Sequence, residues 1–546
     1  MSINLEQVLL DVFKHRGFRP GQREVVEGVL GGRDVLYVFP TGGGKSLCYQ
    51  LPCLARPGTL TVVISPLVAL MADQVQALTR VGVRAVVYNS YLKEGEKGEV
   101  LAELGREGGA LQLLYTTPEQ MSSGVFLPAL DQAVALGKVG LFAIDEAHCI
   151  SSWGHDFRPA YRRLRSIRQR YPQVPLVACT ATATPQVKED IVGQLQLRTP
   201  LVVSQSFDRP NLKYEIRLTP DPLGRGCLEG VAKVIKEAAG PCGIVYCHKK
   251  TDCDTVATAL TNTFKIRAEA YHSGLRGERR GEVQARWMRG EVQVLVATIA
   301  FGMGIDKADV RYVIHLTVPR SVEAFYQESG RAGRDGLPSR CVLYISGKEV
   351  GLLKWLIKKK YDDREAAVKK GAADPEDPDN DLALSKQKDR LSMISKARER
   401  ETAAFTKMLD FCSSKDCRRG FLLDHFGEKV DARRVKAKCC DACADVPGAA
   451  LLSEEVRMAL QPQESGQRKF VGALPARKRG FSEESSESGF AVQNKPPPRQ
   501  RVSGLKSSAK VGKSASGILK MFEDSEARDK GSKLTVKDLF AQRRRK

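Results

Sequence analysis

The chain predicts two α/β domains in tandem, each built on a parallel sheet. Three observations lead there. Short apolar, β-branched runs without polar alternation recur through residue 345; examples are Thr61-Val62-Val63-Ile64, Val139 to Ile144, Gly243-Ile244-Val245-Tyr246, Val292 to Ala297 and Val310 to His315. Such runs suit strands covered on both faces. Helical stretches alternate with them, as parallel crossovers require. The length of 546 residues exceeds what one such sheet accommodates. A break is expected at Phe207-Asp208-Arg209-Pro210-Asn211, where Pro and Asn interrupt the pattern. This places one domain over 1–205 and the next over 206–346, with a cleft between them.

The first run to carry chemistry is Val35-Leu36-Tyr37-Val38-Phe39, followed by Pro40-Thr41-Gly42-Gly43-Gly44-Lys45-Ser46. A strand that breaks into glycines and opens a helix with Lys-Ser is a phosphate cradle. Glycines let backbone N–H groups turn toward phosphate without Cβ clashes. Lys45 supplies a cation to the β and γ phosphates, and the Ser46 hydroxyl suits Mg²⁺. The loop departs from the full eight-residue pattern, because Phe39 holds the first glycine position.

Val139 to Ile144 ends in Asp145-Glu146-Ala147-His148. An acidic pair at the C-terminal end of a buried parallel strand points into the crevice where ligands bind. Asp145 suits a Mg²⁺ ligand, and Glu146 suits polarising the attacking water. Further on, Gln327 to Gly336 reads Gln-Glu-Ser-Gly-Arg-Ala-Gly-Arg-Asp-Gly. Arg331 and Arg334 are spaced to reach a γ-phosphate across the cleft from the second domain. Nucleotide chemistry with ATP and Mg²⁺ is therefore expected.

Residues 347–446 turn helical and charged, interrupted by an acidic, proline-containing insert from Gly371 to Asp381 that reads as a loop. Of the 14 cysteines, nine are scattered, several within apolar runs, as reduced core thiols are; five crowd between Cys412 and Cys443. Four thiolates close a tetrahedral zinc site. Cys412 competes with Cys417 for a place in it.

The 447–546 segment is dominated by Ser, Pro, Gly and basic residues and reads as a disordered basic tail. From Val446 onward there are 21 Lys and Arg against 11 Asp and Glu, which accounts for +10 of the +22 net charge. That balance points to a polyanionic partner. Arg477-Lys478-Arg479 and Arg543-Arg544-Arg545-Lys546 read either as nuclear import signals or as a solvated, DNA-attracting tail. Two apolar patches, Ile518 to Phe522 and Leu534 to Phe540, suit a protein partner. No apolar run reaches membrane-spanning length, and Glu6, Asp11 and Lys14 break any signal-peptide pattern.

The order of Thr41 to Ser46, Ser65-Pro66-Leu67, Asp145 to His148, Thr180-Ala181-Thr182-Ala183-Thr184, Val296 to Asp306 and Gln327 to Gly336 resembles a superfamily-two helicase. Cys149 to Pro159, with Trp153 and Phe157, closely resembles the aromatic-rich loop of RecQ DNA helicases. Phe18-Arg19-Pro20-Gly21-Gln22 is similar to that family's adenine-reading motif. The resemblance spans roughly residues 5–445. It implies two RecA-like domains, ATP hydrolysis, and unwinding of duplex DNA with 3′-to-5′ movement on a single strand, in DNA repair, recombination and replication. It assigns adenine contacts to Arg19 and Gln22, with His15 where the family often has Tyr. Thr182 and Asp306 would couple nucleotide to the domain interface. His148, Ser151, Trp153, Phe157 and Arg158 would report DNA occupancy to the hydrolytic site, with bases stacking on the aromatics.

Cys417-Arg418-Arg419 followed by Cys439, Cys440 and Cys443 resembles the family's zinc-binding subdomain, and Cys417 is favoured over Cys412 because it matches the Cys-Arg-Arg position. No winged-helix or helicase-and-RNase-D C-terminal domain is readable after it, as in short family members. The implied setting is a nuclear protein acting on single-stranded and duplex DNA. Two rivals stay open on residues alone. One is an RNA helicase, since Asp-Glu-Ala-His occurs there too. The other is a binding protein whose ATPase does not unwind.

Overall fold

The computed structural model describes residues 4–429, without positions 155, 157, 239, 241, 300, 302–306 and 371–379, and residues 439–444. The expected basic tail, its import signals and its apolar patches lie outside them, as do Asp306 and Phe157.

Two all-parallel sheets form. The first has seven strands: β1 (Val35–Val38), β2 (Leu60–Ile64), β3 (Ala85–Tyr88), β4 (Leu113–Thr116), β5 (Val139–Ile144), β6 (Leu176–Thr180) and β7 (Leu201–Ser204), in the order β3-β4-β2-β5-β6-β1-β7. The second has six: β8 (Leu212–Leu218), β9 (Gly243–Tyr246), β10 (Ala268–Tyr271), β11 (Val294–Ala297), β12 (Tyr312–His315) and β13 (Ser339–Ile345), in the order β10-β11-β9-β12-β13-β8. The apolar runs fall on these strands because helices cover both faces. β1, β2 and β9 are buried at every position. Trp287, wholly buried, donates its indole N–H to Gly243 O at 3.3 Å. All nine scattered cysteines are buried and free.

In the first sheet β5, β6 and β1 are neighbours and run the same way. Their C-terminal ends therefore open on one crevice, and the glycine loop, the acidic pair and the Thr180-to-Thr184 run all start there.

The first sheet ends at Ser204 and the second begins at Leu212. The connecting segment is held from the C-terminal region. Glu428 accepts from Ser206 Oγ at 2.5 Å and from Phe207 N–H at 2.8 Å. The Phe207 ring stacks on Phe426 with centroids 4.3 Å apart. Arg419 donates to Pro210 O at 3.2 Å and Leu212 O at 3.0 Å.

A helical region follows. Gly347–Lys370 and Asn380–Ser413 pack together as a long hairpin, tied by Tyr361 Oη to Glu401 at 2.7 Å and Arg398 to Asp362 at 3.1 Å. Of the insert expected as a loop from Gly371 to Asp381, Asn380 and Asp381 belong to the second helix. Positions 371–379 lie outside the described residues. Arg418–His425 forms a last short helix. Among the described residues, no helix is long and apolar enough to cross a membrane.

A buried charge network ties the N-terminal edge of the first sheet. Asp34, just before β1, accepts from Arg168 at 2.6 Å, Arg198 N–H at 2.7 Å and Leu176 N–H at 2.9 Å. Removing the carboxylate leaves the buried Arg168 without its counter-ion, so Asp34→Ala is expected to cost about 3–5 kcal/mol of stability. Urea unfolding of wild type and variant measures it; a loss under about 1 kcal/mol would show the network to be dispensable.

Candidate active site and metal centre

The glycine loop takes its shape from two residues with positive φ, Gly42 at +83° and Gly44 at +79°. Gly44 also has no room for a side chain, because a Cβ there would lie 2.4 Å from Gln22 Nε2. Gln22 is buried and braces the loop: Nε2 donates to Gly44 O at 2.9 Å, while Oε1 accepts from Arg19 N–H at 2.7 Å. The Arg19 guanidinium donates to Gly42 O. Helix Lys45–Ala55 then starts, with Tyr37 Oη donating to Lys45 O at 2.7 Å.

Asp145 and Glu146 follow β5. Asp145 Oδ1 accepts from Glu146 N–H at 3.0 Å and from the Cys179 thiol at 3.3 Å. Glu146 adopts φ +49°, a left-handed conformation that costs a non-glycine residue energy and is typical of functional positions. Burial raises both carboxyls above their usual range. Glu146 is raised further by the Asp145 charge, with Lys45 and Arg331 pulling it back down. Glu146 Oε2 lies 3.3 Å from His148 Nδ1, which lies 2.8 Å from Thr180 Oγ1. Thr180 Oγ1 in turn accepts from Thr182 N–H at 3.2 Å. The acidic pair and the threonine run are thus physically linked.

One cavity of about 880 Å³ gathers most of the expected site. His15, Arg19 and Gln22 line one end, Thr41, Gly42, Gly44, Lys45 and Ser46 the floor, and Asp145 and Glu146 the wall. Gln327, Arg331 and Arg334 enter from the second domain. The Arg334 stem lies over the loop, since a methyl group on Gly42 would sit 3.6 Å from its Cγ. Gly43 faces away, toward Gln205, Pro40 and Phe39.

Arg209 was not expected here. Its guanidinium donates to Thr41 O at 3.4 Å on one side and to Gly330 O, Ala332 O and Gly333 O at 3.2, 2.8 and 2.9 Å on the other. It joins the glycine loop to the arginine loop. The only sequence signal was its place in the interdomain Pro/Asn cluster.

Ser151 is buried and accepts from Trp153 N–H at 3.1 Å. Trp153 itself is 47% exposed, with the Arg400 guanidinium 4.5 Å from its ring centre. Arg158 pairs with Asp156 at 2.8 Å and donates to Pro66 O at 3.3 Å, which ties the aromatic loop to the segment after β2.

Cys417, Cys439, Cys440 and Cys443 converge, their sulfurs all within 4.8 Å of one another. Cys417 and Cys439 are 3.4 Å apart, Cys439 and Cys443 3.7 Å. Four thiolates about 2.3 Å from a tetrahedral zinc stand about 3.8 Å apart, so the donor set fits that ion. Gly420 N–H and Cys443 N–H point at Cys417 and Cys440 sulfur, as for charged thiolates. Cys412 lies apart, buried in the core, where burial pushes its thiol up to about 12.

The sequence matches three family models: DEAD/DEAH box helicase over residues 19–191, helicase conserved C-terminal domain over 227–336, and RecQ zinc-binding over 383–444. The third model ends on the cysteine cluster. The chain belongs to the RecQ family of superfamily-two helicases. RecQ from Pasteurella multocida is 39% identical over 82% of this chain and 64% of its own length. ATP-dependent DNA helicase Q5 of Mus musculus is 38% identical over 89% and 47%, and ATP-dependent DNA helicase Q-like 4B of Arabidopsis thaliana 40% over 81% and 36%. The chain thus spans between about a third and just under two thirds of these RecQ relatives. Among solved structures, helicase MrfA bound to DNA shares the fold, with a TM-score of 0.53 at 19% identity over 63% of this chain and 51% of that one.

Serine is a poor replacement for a thiolate ligand. Cys440→Ser should therefore lower bound zinc and the melting temperature, while Cys412→Ser leaves zinc content unchanged. Elemental analysis decides it; full zinc in a Cys417/Cys440 double variant would overturn the ligand set.

Proposed function

We propose that this chain is an ATP-dependent DNA helicase that moves 3′ to 5′ along one strand and unwinds duplex DNA. The observation that carries the reading is the shared cleft. A phosphate loop and an acidic pair from one domain meet Arg331 and Arg334 from the other, with the Trp153 loop starting a few residues beyond the acidic pair. Names of the relatives, such as ATP-dependent DNA helicase Q5, favour DNA over RNA.

In this reading Lys45 and the loop N–H groups hold the triphosphate, and Arg19, Gln22 and His15 hold the base. Ser46 and Asp145 would hold Mg²⁺, which neutralises charge between the β and γ phosphates when bound. Glu146 orients the attacking water, and its environment raises its basicity toward that task. Arg331 and Arg334 stabilise the charge that develops on the transferred phosphoryl group. Both belong to the second domain, so hydrolysis requires a closed cleft, and release of product lets it open. Trp153 stacks on an unpaired base and passes occupancy to Glu146 through Ser151 and His148. Cys417, Cys439, Cys440 and Cys443 would hold zinc, which would supply folding energy to their subdomain, and eukaryotic relatives support action in the nucleus, in DNA repair, recombination and replication.

Strand displacement on tailed DNA and RNA duplexes tests the reading directly. Unwinding of RNA alone, or of neither, would reject it. Lys45→Ala should lower hydrolysis by at least about 10²-fold and leave DNA binding largely intact. Hydrolysis at the wild-type rate refutes the loop assignment.

Trp153→Ala should lose DNA stimulation and unwinding while nucleotide affinity stays near wild type. One lost stack costs about 1–3 kcal/mol, so weakened DNA binding persists. Normal unwinding by this variant would make Trp153 a packing residue.

A further inference from the structure

Helix Gly347–Lys370 has two unlike faces. Val350, Leu353, Ile357 and Tyr361 are buried against the fold. The opposite stripe, Lys348, Leu352, Trp355 and Lys359, runs at steps of four, three and four residues, which aligns it on one side of a helix. All four are exposed, Leu352 at 37% and Trp355 at 52%; Lys358 is exposed beside them. Lys359 holds its ammonium 4.9 Å from the Trp355 ring centre.

A large indole in water is costly, and neither nucleotide binding nor the Trp153 loop uses it. Its neighbours decide what covers it. An apolar protein partner would meet lysines crowding the one aromatic ring, whereas a polyanion with flat, stackable rings matches both features. Lys348 and Lys359 lie eleven residues apart on the helix, about 16 Å along its axis, with Trp355 between them, so the stripe is long enough to follow several nucleotides of a strand. Exposed acidic groups are missing from this part of the helix: between Lys348 and Lys360 the single acidic residue, Glu349, is largely buried.

We infer that this stripe is a second DNA-contact surface, in which Lys348, Lys358 and Lys359 bind the phosphodiester backbone and Trp355 stacks on an unpaired base. It rests on the helicase reading above and adds a contact on the helical hairpin, whose partner helix already reaches the Trp153 loop through Arg400.

The chain has three tryptophans, and Trp287 is wholly buried. In a Trp153→Phe background Trp355 is therefore the one exposed indole among the described residues. Oligo(dT) added to that protein should quench its fluorescence, and the quench should vanish in Trp153→Phe/Trp355→Phe.

Trp355→Ala, otherwise wild type, should weaken oligo(dT) binding about fivefold or more by fluorescence anisotropy, with the melting temperature unchanged. Lys358→Glu/Lys359→Glu should weaken it further at low salt. It should also flatten the slope of log affinity against log salt by at least about 1.4, the value for two lost phosphate contacts on a single strand.

If anisotropy shows DNA binding but Trp355 is not quenched and the charge reversal is silent, this surface is refuted and the helicase reading stands. If no DNA binds at all, the helicase reading itself fails. A dimer in sedimentation that Trp355→Ala dissociates would instead give the stripe to a second copy and overturn the proposal.

Discussion

The cleft depends on a single guanidinium. Arg209 sits on the segment between the two sheets and donates to carbonyls of two loops, one on the glycine loop and three on the arginine loop. Charge-assisted bonds of this kind are about twice as strong as neutral ones, and a planar fork holds several acceptors at fixed angles. Lysine, a point charge on a flexible stem, has no equivalent reach. Asn211 adds its amide to Gly333 O at 2.8 Å and Leu337 O at 2.9 Å. Gly333 must be glycine beside it, because a Cβ there would lie 2.3 Å from Asn211 Nδ2. The segment that links the domains is therefore also the segment that sets how their loops face each other.

Charges from both domains shape the electrostatics of the cleft. Asp145 and Glu146 are buried side by side, which favours a proton on the pair. Lys45 from the same domain and Arg331 from the other work against that rise. Arg331 is thus one of the charges, supplied from the other domain, that oppose the effect of burial on Glu146. The strained backbone at Glu146 belongs to the same arrangement: the peptide leading into it is held by the Asp145 carboxylate on Glu146 N–H at 3.0 Å and by Tyr161 Oη on Asp145 O at 2.9 Å.

Much of this was legible in the sequence where the signal is local. The glycine loop, the acidic pair and the double-arginine loop each lie within ten residues and carry their own chemistry. Buried apolar runs marked strands on both sheets, though Val292 to Ala297 and Val310 to His315 each overshot the strand by two residues at the start. What stayed hidden rests on pairing across long separations. Nothing near Arg209 announces that it joins Thr41 to Gly330. Gln22 was expected on adenine from its motif, and nothing in that motif showed that its amide also braces the glycine loop through Gly44 O and Arg19 N–H. Cys179 looked like one core thiol among nine, yet it donates to Asp145 because β6 lies next to β5. The Arg400–Trp153 contact joins residues almost 250 positions apart.

The cysteine cluster reaches the cleft by the same kind of long-range route. Cys417, one of its four sulfurs, is also the cap of helix Arg418–His425. From that helix Arg418 binds Asp441 at 3.1 Å, and Asp441 accepts from Ile216 N–H in β8 at 2.8 Å. Arg419 holds the carbonyls of Pro210 and Leu212 at the end of the interdomain segment. Glu428, just beyond the helix, holds its start at Ser206 and Phe207. The segment bearing Arg209 is thus clamped on both sides by the cysteine-bearing region. The binding energy of a structural metal is folding energy for whatever its ligands organise. Here the four cysteines sit at the clamp on the interdomain segment, so an ion held by them would stiffen the segment that presents Arg209 to the two loops.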